Sequence, residues 1–205
     1  MLRSLEIRWF YGNTVPNSVI HWFEADLPGK IPLTPEPSRE DYYLSLKETD
    51  SLGIKLSRNR LQIKRRTKTF DFFLEGGTKI GRAEYWIRLD LYDKLPKREL
   101  LPLLARFDWI LVNKGRIQRK YKFLKNALVQ VPSIQLDPDC AIEITKLTLN
   151  NMSSWTMAVE VFDIGHLTSK RLSAAVKILL SRYPLNLDLT DSYSYPGWLL
   201  AQTVE

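Results

Sequence analysis

Polar and apolar residues alternate along several stretches of this 205-residue sequence, and a period of two is typical of a β-strand with one buried face. Apolar residues at helical spacing, bounded by capping or proline residues, instead predict short covering helices. The chain is therefore expected to be an α+β protein dominated by antiparallel strands. The predicted strands are Ser4–Phe10, Asp41–Leu46, a hairpin within Leu52–Arg66, Gly81–Leu91, Lys114–Lys122, Cys140–Leu149 and Trp155–Phe162, and the predicted helical segments are Pro16–Phe23, Lys97–Ala105 and Ser169–Arg182.

The predicted hairpin concentrates its charges on one face. Its second strand places Arg60, Gln62, Lys64 and Arg66 on the same side, and the cations among them repel each other. Such a face is stable where water, paired carboxylates or a bound polyanion compensates the charge. This strand alone is consistent with either a solvated sheet face or an anion-binding face.

The polar faces of the other predicted strands carry both signs of charge. Glu84 and Arg88 share the face of one strand, and Glu143 and Glu160 lie on two strands that are expected to pair. A sandwich would turn these faces to water, whereas a closed antiparallel barrel would turn them inward as a charged tunnel. The apolar faces favour the barrel, because they would pack against covering helices outside it. No second domain is indicated, and residues 1–205 are interpreted as a single domain.

Composition narrows the class of partner. Thirty Lys and Arg against 23 Asp and Glu give a net charge of +7, which favours an anionic partner such as a phosphate chain or a nucleic acid. One cysteine rules out an internal disulfide, and no apolar run predicts a membrane span or signal peptide, so we expect a cytoplasmic protein. Two separated histidines and one cysteine are too few for a zinc site, so any metal would be a hard ion held by carboxylates.

The order of these patterns resembles that of the CYTH, or triphosphate tunnel metalloenzyme, superfamily. The first strand of that family usually reads Glu-x-Glu-x-Lys, and the matching stretch here is Ser4-Leu5-Glu6-Ile7-Arg8. The basic second and third strands of the family are similar to Tyr42-Tyr43-Leu44, Gly53-Ile54-Lys55 and Leu61–Arg66. Its central charged strand is similar to Arg82–Arg88, and its late acidic strands to those with Glu143 and Glu160. The resemblance spans roughly the whole chain through short, degenerate motifs.

The resemblance implies an eight-stranded antiparallel barrel with covering helices, whose tunnel binds triphosphate-containing substrates with Mg²⁺ or Mn²⁺. Phosphoryl transfer is catalysed mainly by positioning and charge stabilisation, so cations hold the phosphate oxygens and carboxylates hold the metal. Glu6, Lys64 and Glu160 are the candidate catalytic residues, and Glu84 is a further acid that could bind metal or neutralise Arg88. The candidate substrate-binding residues are Lys55, Arg60, Lys64, Arg66, Arg88, Lys114 and Arg116, and the candidate metal ligands are Glu6, Glu143 and Glu160.

The departures from the family pattern leave other functions open. Ser4 replaces the first acid of the family motif, which removes an expected metal ligand or the group that orients the attacking water. One alternative is therefore a catalytically inactive module that binds polyphosphate or a nucleotide. Another is a nucleic-acid or acidic-protein binder that uses the basic stretch Lys114–Lys125 on the outside, although no recognised nucleic-acid-binding motif is present. The sequence leaves the physiological substrate and the oligomeric state open.

Overall fold

A computed structural model describes residues 1–31, 36–74, 76–92, 96–125, 127–162 and 169–203 of the chain. Within these ranges, the first helix, Asn17–His21, continues into a π-helical turn over Trp22–Asp26, and a 3₁₀ turn covers Leu189–Asp191. The strands are β1 Leu2–Gly12, β2 Arg39–Leu44, β3 Leu52–Ser57, β4 Arg60–Phe73, β5 Lys79–Tyr92, β6 Trp109–Leu124, β7 Ala127–Val131, β8 Cys140–Leu149 and β9 Met152–Phe162. The helices are α1 Asn17–His21, α2 Lys97–Arg106, α3 Ser169–Leu179 and α4 Tyr195–Thr203.

Eight of the described strands close into an antiparallel barrel. The strand order is β2-β3-β4-β5-β1-β9-β8-β6, and β2 pairs with β6 to complete the circle. Among the described strands, β7 pairs with the C-terminal end of β6, whereas β2 pairs with its N-terminal end. Strand β7 is therefore not part of the barrel. The predicted fold, an α+β protein built on an antiparallel eight-stranded barrel, is confirmed.

Two strands extend further than the alternation indicated. Strand β4 continues past Arg66 to Phe73, where Thr and Phe residues favour strand and the side chain of Phe72 is buried. The alternation in the sequence predicts no strand between Arg66 and Gly81, so this part of β4 was missed. Gly76 and Gly77 form only the tight turn, with φ values of 98° and 84°, so β4 and β5 make one long hairpin. Strand β6 likewise runs through Asn113 without interruption.

The main hydrophobic core lies outside the barrel. Leu5, Ile7 and Trp9 point away from the barrel interior and pack with residues of α1 and α3. This arrangement places the opposite face of β1, with its polar residues, on the inside. The apolar strand faces therefore meet covering helices, as the sequence predicted, and the ionic faces are left to line the interior.

A second, smaller core closes one end of the barrel. Trp198 of α4 stacks on Phe10, with ring centroids 4.9 Å apart and planes inclined by 7°. Tyr195 stacks on Tyr43 of β2 at 5.6 Å, and Val112 of β6 packs in the same cluster. The aromatic C-terminal segment thus packs back on the body of the protein and forms the floor of the barrel interior.

Candidate functional site

The barrel encloses a cavity of about 160 Å³ above this floor. Side chains from most of the barrel strands converge on the cavity because alternate residues of each strand point inward. We call this cavity the chamber. Its ionic lining consists of seven cationic side chains, Arg8, Arg39, Lys55, Lys64, Arg88, Lys114 and Arg116, and three carboxylates, Glu6, Glu143 and Glu160.

Acidic residues form a row across three neighbouring strands. Glu6 of β1 lies directly opposite Glu84 of β5 on one side and Glu160 of β9 on the other. Burial alone would raise the pKa of Glu6, but Arg8 and Lys64 outweigh it and lower the pKa to about 2. The Lys64 Nζ atom lies 2.8 Å from Glu6 and 3.7 Å from Glu160. Lys64 therefore pairs with two of the three acids in this row, Glu6 and Glu160.

Arg8 joins the acidic row to the next strand. Its Nε donates to Glu6 Oε1 at 2.7 Å, and its Nη2 donates to Glu143 Oε1 at 2.9 Å. The third nitrogen, Nη1, lies 3.4 Å from the hydroxyl of Thr156. Only 6% of the residue is exposed, and its guanidinium carbon lies 4.9 Å from the ring centroid of Tyr195. Arg8 is thus a fixed internal cation in the wall of the chamber.

A basic wall lies across the chamber, where a single buried carboxylate faces three cations. The carboxylate of Asp41 lies 3.2 Å from Arg39, 3.7 Å from Lys55 and 3.3 Å from Lys114. Burial would raise the pKa of Asp41, but Lys55, Lys114 and Arg39 hold it well below its ordinary value. Arg39 also pairs with Glu36 at 2.8 Å, whereas Lys55 and Lys114 rely on Asp41, so the wall carries more cations than carboxylates.

Lys114 is the most buried cation of the basic wall. Its Nζ donates to the Tyr43 hydroxyl at 2.5 Å and lies 3.7 Å from the ring centroid of Tyr195. Burial lowers the pKa of Lys114 well below its ordinary value, Asp41 opposes this only in part, and the positive charge of Lys55 adds to the lowering. The environment therefore disfavours the protonated amine until a further anion enters the chamber.

Two more groups complete the site. Arg116 connects the walls, because it binds Glu143 at 3.1 Å and Glu36 at 2.9 Å. The hydroxyl of Thr145 is buried among the lining residues and has no hydrogen-bond partner in the described part of the chain. A buried hydroxyl without a partner costs free energy unless a ligand or water satisfies it. The chamber therefore offers a donor and an excess of cations to whatever enters it.

The structure brings together most of the site residues that the sequence suggested. Two candidates lie elsewhere: Arg66 pairs with Asp50 and Glu84 at 2.6 Å each, beside a register shift in β4, and Arg60 is exposed at the turn end of that strand. Glu84 neutralises Arg66 and not Arg88, which lies 3.3 Å from Asp90. The candidates that line the chamber are Glu6, Lys55, Lys64, Arg88, Lys114, Arg116, Glu143 and Glu160.

Several lining residues were missed. Arg8 shares the inward face of β1 with Glu6, so the alternation itself could have identified it. Arg39 lies two residues before the predicted start of its strand, and Thr145 carries no charge to attract notice. Tyr195 comes from the C-terminal segment, far from the strands along the chain, and no local pattern places it in the barrel.

The carboxylates do not fit the expected divalent metal ion. Mg²⁺ and Mn²⁺ need several oxygen ligands open to the ion, whereas both oxygens of Glu6 and both oxygens of Glu143 accept hydrogen bonds from basic or amide side chains. No group of three or more His, Cys, Asp or Glu side chains in the described ranges is arranged to hold a metal. The expected Mg²⁺ or Mn²⁺ site at Glu6, Glu143 and Glu160 finds no support in this geometry.

Comparison with known proteins gives the fold alone. No model of a known protein family and no curated protein matches the sequence. The structure is similar to that of the PH1819 protein from Pyrococcus horikoshii OT3, with a TM-score of 0.52 and 15% sequence identity over 97% of this chain and 99% of the other. Among the described residues, no helix combines the length and the apolar character that a membrane crossing requires.

Proposed function

We propose that the chamber binds a phosphate-rich anion, with tripolyphosphate as the simplest example. The observation that carries this proposal is the concentration of cations inside a closed barrel, where seven cations and three carboxylates line one cavity. Three more carboxylates, Glu36, Asp41 and Asp90, pair with these cations from outside the lining. Solvent-exposed cations can be compensated by water and salt, but buried cations need a specific anionic partner. A phosphate chain supplies several negative oxygens at the spacing of neighbouring side chains.

The basic wall is the proposed contact surface for the phosphate oxygens. Lys55 and Lys114 share the carboxylate of Asp41 with Arg39, which also pairs with Glu36, so both lysines have donors left for a ligand. Arg116 and the unpartnered hydroxyl of Thr145 lie on the adjoining strands. We propose that an entering phosphate chain accepts hydrogen bonds from these groups and that its negative charge favours the protonated form of Lys114. Membership of the CYTH superfamily, which the sequence patterns suggested, agrees with this proposal and is part of it.

Binding is better supported than hydrolysis. The family mechanism needs carboxylates that hold a metal ion, and here those carboxylates are paired with arginine and lysine. Ser4, which stands in place of the first acid of the family motif, is buried and lines the chamber. A serine hydroxyl neither binds Mg²⁺ as strongly as a carboxylate nor acts as a general base without a partner. We therefore propose the binding module as the function and treat turnover as an outcome to be tested.

The basic stretch Lys114–Lys125 is less available for binding a nucleic acid than the sequence suggested. Lys114 and Arg116 point into the chamber. Lys120 donates to the carbonyl oxygens of Ser133 and Gln135, and Lys122 lies 3.3 Å from Asp139. These contacts use the cations that would otherwise meet a phosphate backbone.

Calorimetric titration with tripolyphosphate at low salt, in buffer with EDTA, tests the proposal. We expect one site per chain with micromolar affinity and weaker binding of inorganic phosphate. Phosphate release is measured in parallel with Mg²⁺ and with Mn²⁺, and we expect none. Failure of tripolyphosphate to bind both in EDTA and with Mg²⁺ added, or tighter binding of single-stranded RNA than of tripolyphosphate, would overturn the proposed function.

A further inference from the structure

The guanidinium of Arg8 occupies the space between two glutamates from different strands. All three of its nitrogens lie near side-chain oxygens: Nε near Glu6 at 2.7 Å, Nη2 near Glu143 at 2.9 Å and Nη1 near Thr156 at 3.4 Å. These oxygens belong to β1, β8 and β9, so one planar cation joins three neighbouring strands. Such fixed, multidentate geometry is the particular strength of arginine over lysine.

Further cations hold the outer oxygens of the same two glutamates. Lys64 lies 2.8 Å from Glu6 Oε2, and Arg116 lies 3.1 Å from Glu143 Oε2. Each carboxylate is therefore bracketed by two positive charges, with Arg8 common to both. A divalent ion approaching these glutamates would be repelled by three cations and would have to displace at least one of them.

We propose that Arg8 is a permanent internal cation that stands between Glu6 and Glu143, where the expected divalent ion would have to bind. The glutamates serve to hold Arg8 in place, and the chamber does not take up Mg²⁺ or Mn²⁺. The consequence for anion binding rests on the proposed function: the basic side chains contact the phosphate oxygens directly, and no metal bridges them.

This arrangement determines whether Mg²⁺ strengthens or weakens the binding of tripolyphosphate. In a site where a metal bridges protein and phosphate, adding Mg²⁺ strengthens binding of the anion. Here Mg²⁺ binds only the free tripolyphosphate and neutralises part of its charge, so it competes with the protein. We expect millimolar Mg²⁺ to weaken the apparent affinity of the wild-type protein for tripolyphosphate.

Removal of Arg8 should expose the pair of carboxylates. In Arg8→Gln, Glu6 and Glu143 each keep one cation and gain an open oxygen. We expect this variant to bind Mn²⁺ at least about tenfold more tightly than the wild-type protein. Arg119→Gln is the matched control, because Arg119 is 3% exposed but contacts the backbone of Phe23 and Glu24 outside the chamber.

The experiment is a titration with Mn²⁺ alone, followed by electron paramagnetic resonance, on the wild-type protein and both variants. The expected result is no stoichiometric Mn²⁺ binding by the wild type or Arg119→Gln, and measurable binding by Arg8→Gln. Stoichiometric binding to the wild type that Glu6→Gln abolishes would overturn the proposal, and so would a folded Arg8→Gln variant that gains nothing.

The wild-type measurement keeps the proposal falsifiable if Arg8→Gln does not fold. The two proposals also fail separately. If tripolyphosphate binds neither with nor without Mg²⁺, the proposed function is wrong, while the Mn²⁺ titration still decides the role of Arg8. If tripolyphosphate binds only when Mg²⁺ is present, the role proposed for Arg8 is wrong and the chamber remains an anion site.

Discussion

Replacing Lys114 by methionine separates the stability of the barrel from the function of its chamber. Methionine has a similar length and volume but no charge, so it can fill the same space beside Tyr43 and Tyr195. Lys114 is only 4% exposed, and burial lowers the pKa of its amine well below the ordinary value of 10.5. The folded protein therefore disfavours the charge that Lys114 would carry in water.

The sign of the stability effect follows from this lowered pKa. At a pH below the folded-state pKa, the amine is protonated in both states and the folded state bears the full cost of burying the charge. As pH rises from the folded-state pKa towards 10.5, only the unfolded chain keeps the proton, so wild-type stability increases. The methionine variant avoids this cost, and its advantage is greatest at the lower pH.

The size of the gain in stability depends on which ion-pair and hydrogen-bond partners Asp41 keeps. Asp41 loses Lys114 but retains Arg39, Lys55 and the hydroxyl of Ser57. Replacing a whole buried ion pair by apolar groups of similar volume can stabilise by about 1–4 kcal/mol, whereas removing one partner alone is destabilising. Because Asp41 keeps other cations, we expect a net gain of no more than about 1 kcal/mol here. For a chain of this length, each kcal/mol raises Tm by about 2–4 °C.

Anion affinity should change in the opposite direction. A hydrogen bond between a charged donor and a phosphate oxygen contributes about 1.5–3 kcal/mol, so its loss weakens tripolyphosphate binding roughly 10- to 100-fold. Thermal unfolding and calorimetric titration measure the two effects on the same samples. The matched control is Lys122→Met on the same strand, whose amine lies 3.3 Å from Asp139 outside the chamber. A lower Tm with unchanged affinity, or an equal loss of affinity in the control, would refute the reasoning.

Three further predictions concern other parts of the chamber. Glu6 has a folded-state pKa of about 2 against an ordinary 4.5, so its stabilising contribution is complete above pH 4.5 and is lost as pH falls towards 2, which circular dichroism follows. Lys64→Gln should weaken tripolyphosphate binding roughly tenfold, whereas Arg66→Gln should leave it within about twofold because Arg66 lies outside the chamber; calorimetry compares them. Trp198→Ala removes the stack on Phe10 and should cost about 3–5 kcal/mol in urea unfolding.

Each of these predictions has a result that contradicts it. Unchanged stability of the wild-type protein between pH 4.5 and 2 would mean that the buried pairs of Glu6 contribute nothing. Equal effects of the Lys64 and Arg66 variants would remove the distinction between the chamber and its surroundings. A loss below about 1 kcal/mol in Trp198→Ala would show that the floor of the barrel does not depend on the stacked aromatic pair.

The strand alternation predicted most of the fold because burial differs so sharply between the two faces of each strand. Cys140–Leu149 was predicted to the residue, since apolar and polar positions alternate over Ile142–Thr145 and again over Lys146–Leu149. The alternation failed at Thr67–Phe73, where charged and aromatic residues are mixed and a register shift interrupts the period. It also failed at Arg39, which precedes the apolar residues that mark its strand.

The sequence could name most of the ionic residues of the chamber, though not Arg8 or Arg39, and it could not predict which of them pair. Alternation puts Glu6 and Arg8 on one face, yet only closure of the barrel brings Glu143 to the other side of Arg8. The same holds for Asp41, whose three cationic neighbours come from two other strands and its own. Contacts between residues distant in sequence decide which charges are neutralised, and no local pattern encodes that balance.

A crystal structure of the protein with bound tripolyphosphate, grown with EDTA, tests the central claim most directly. We predict electron density for the phosphate chain inside the barrel, within hydrogen-bond distance of Lys55, Lys114 and Arg116. A chamber that holds only water at a saturating concentration of tripolyphosphate, or a ligand bound on the outer surface, would contradict it.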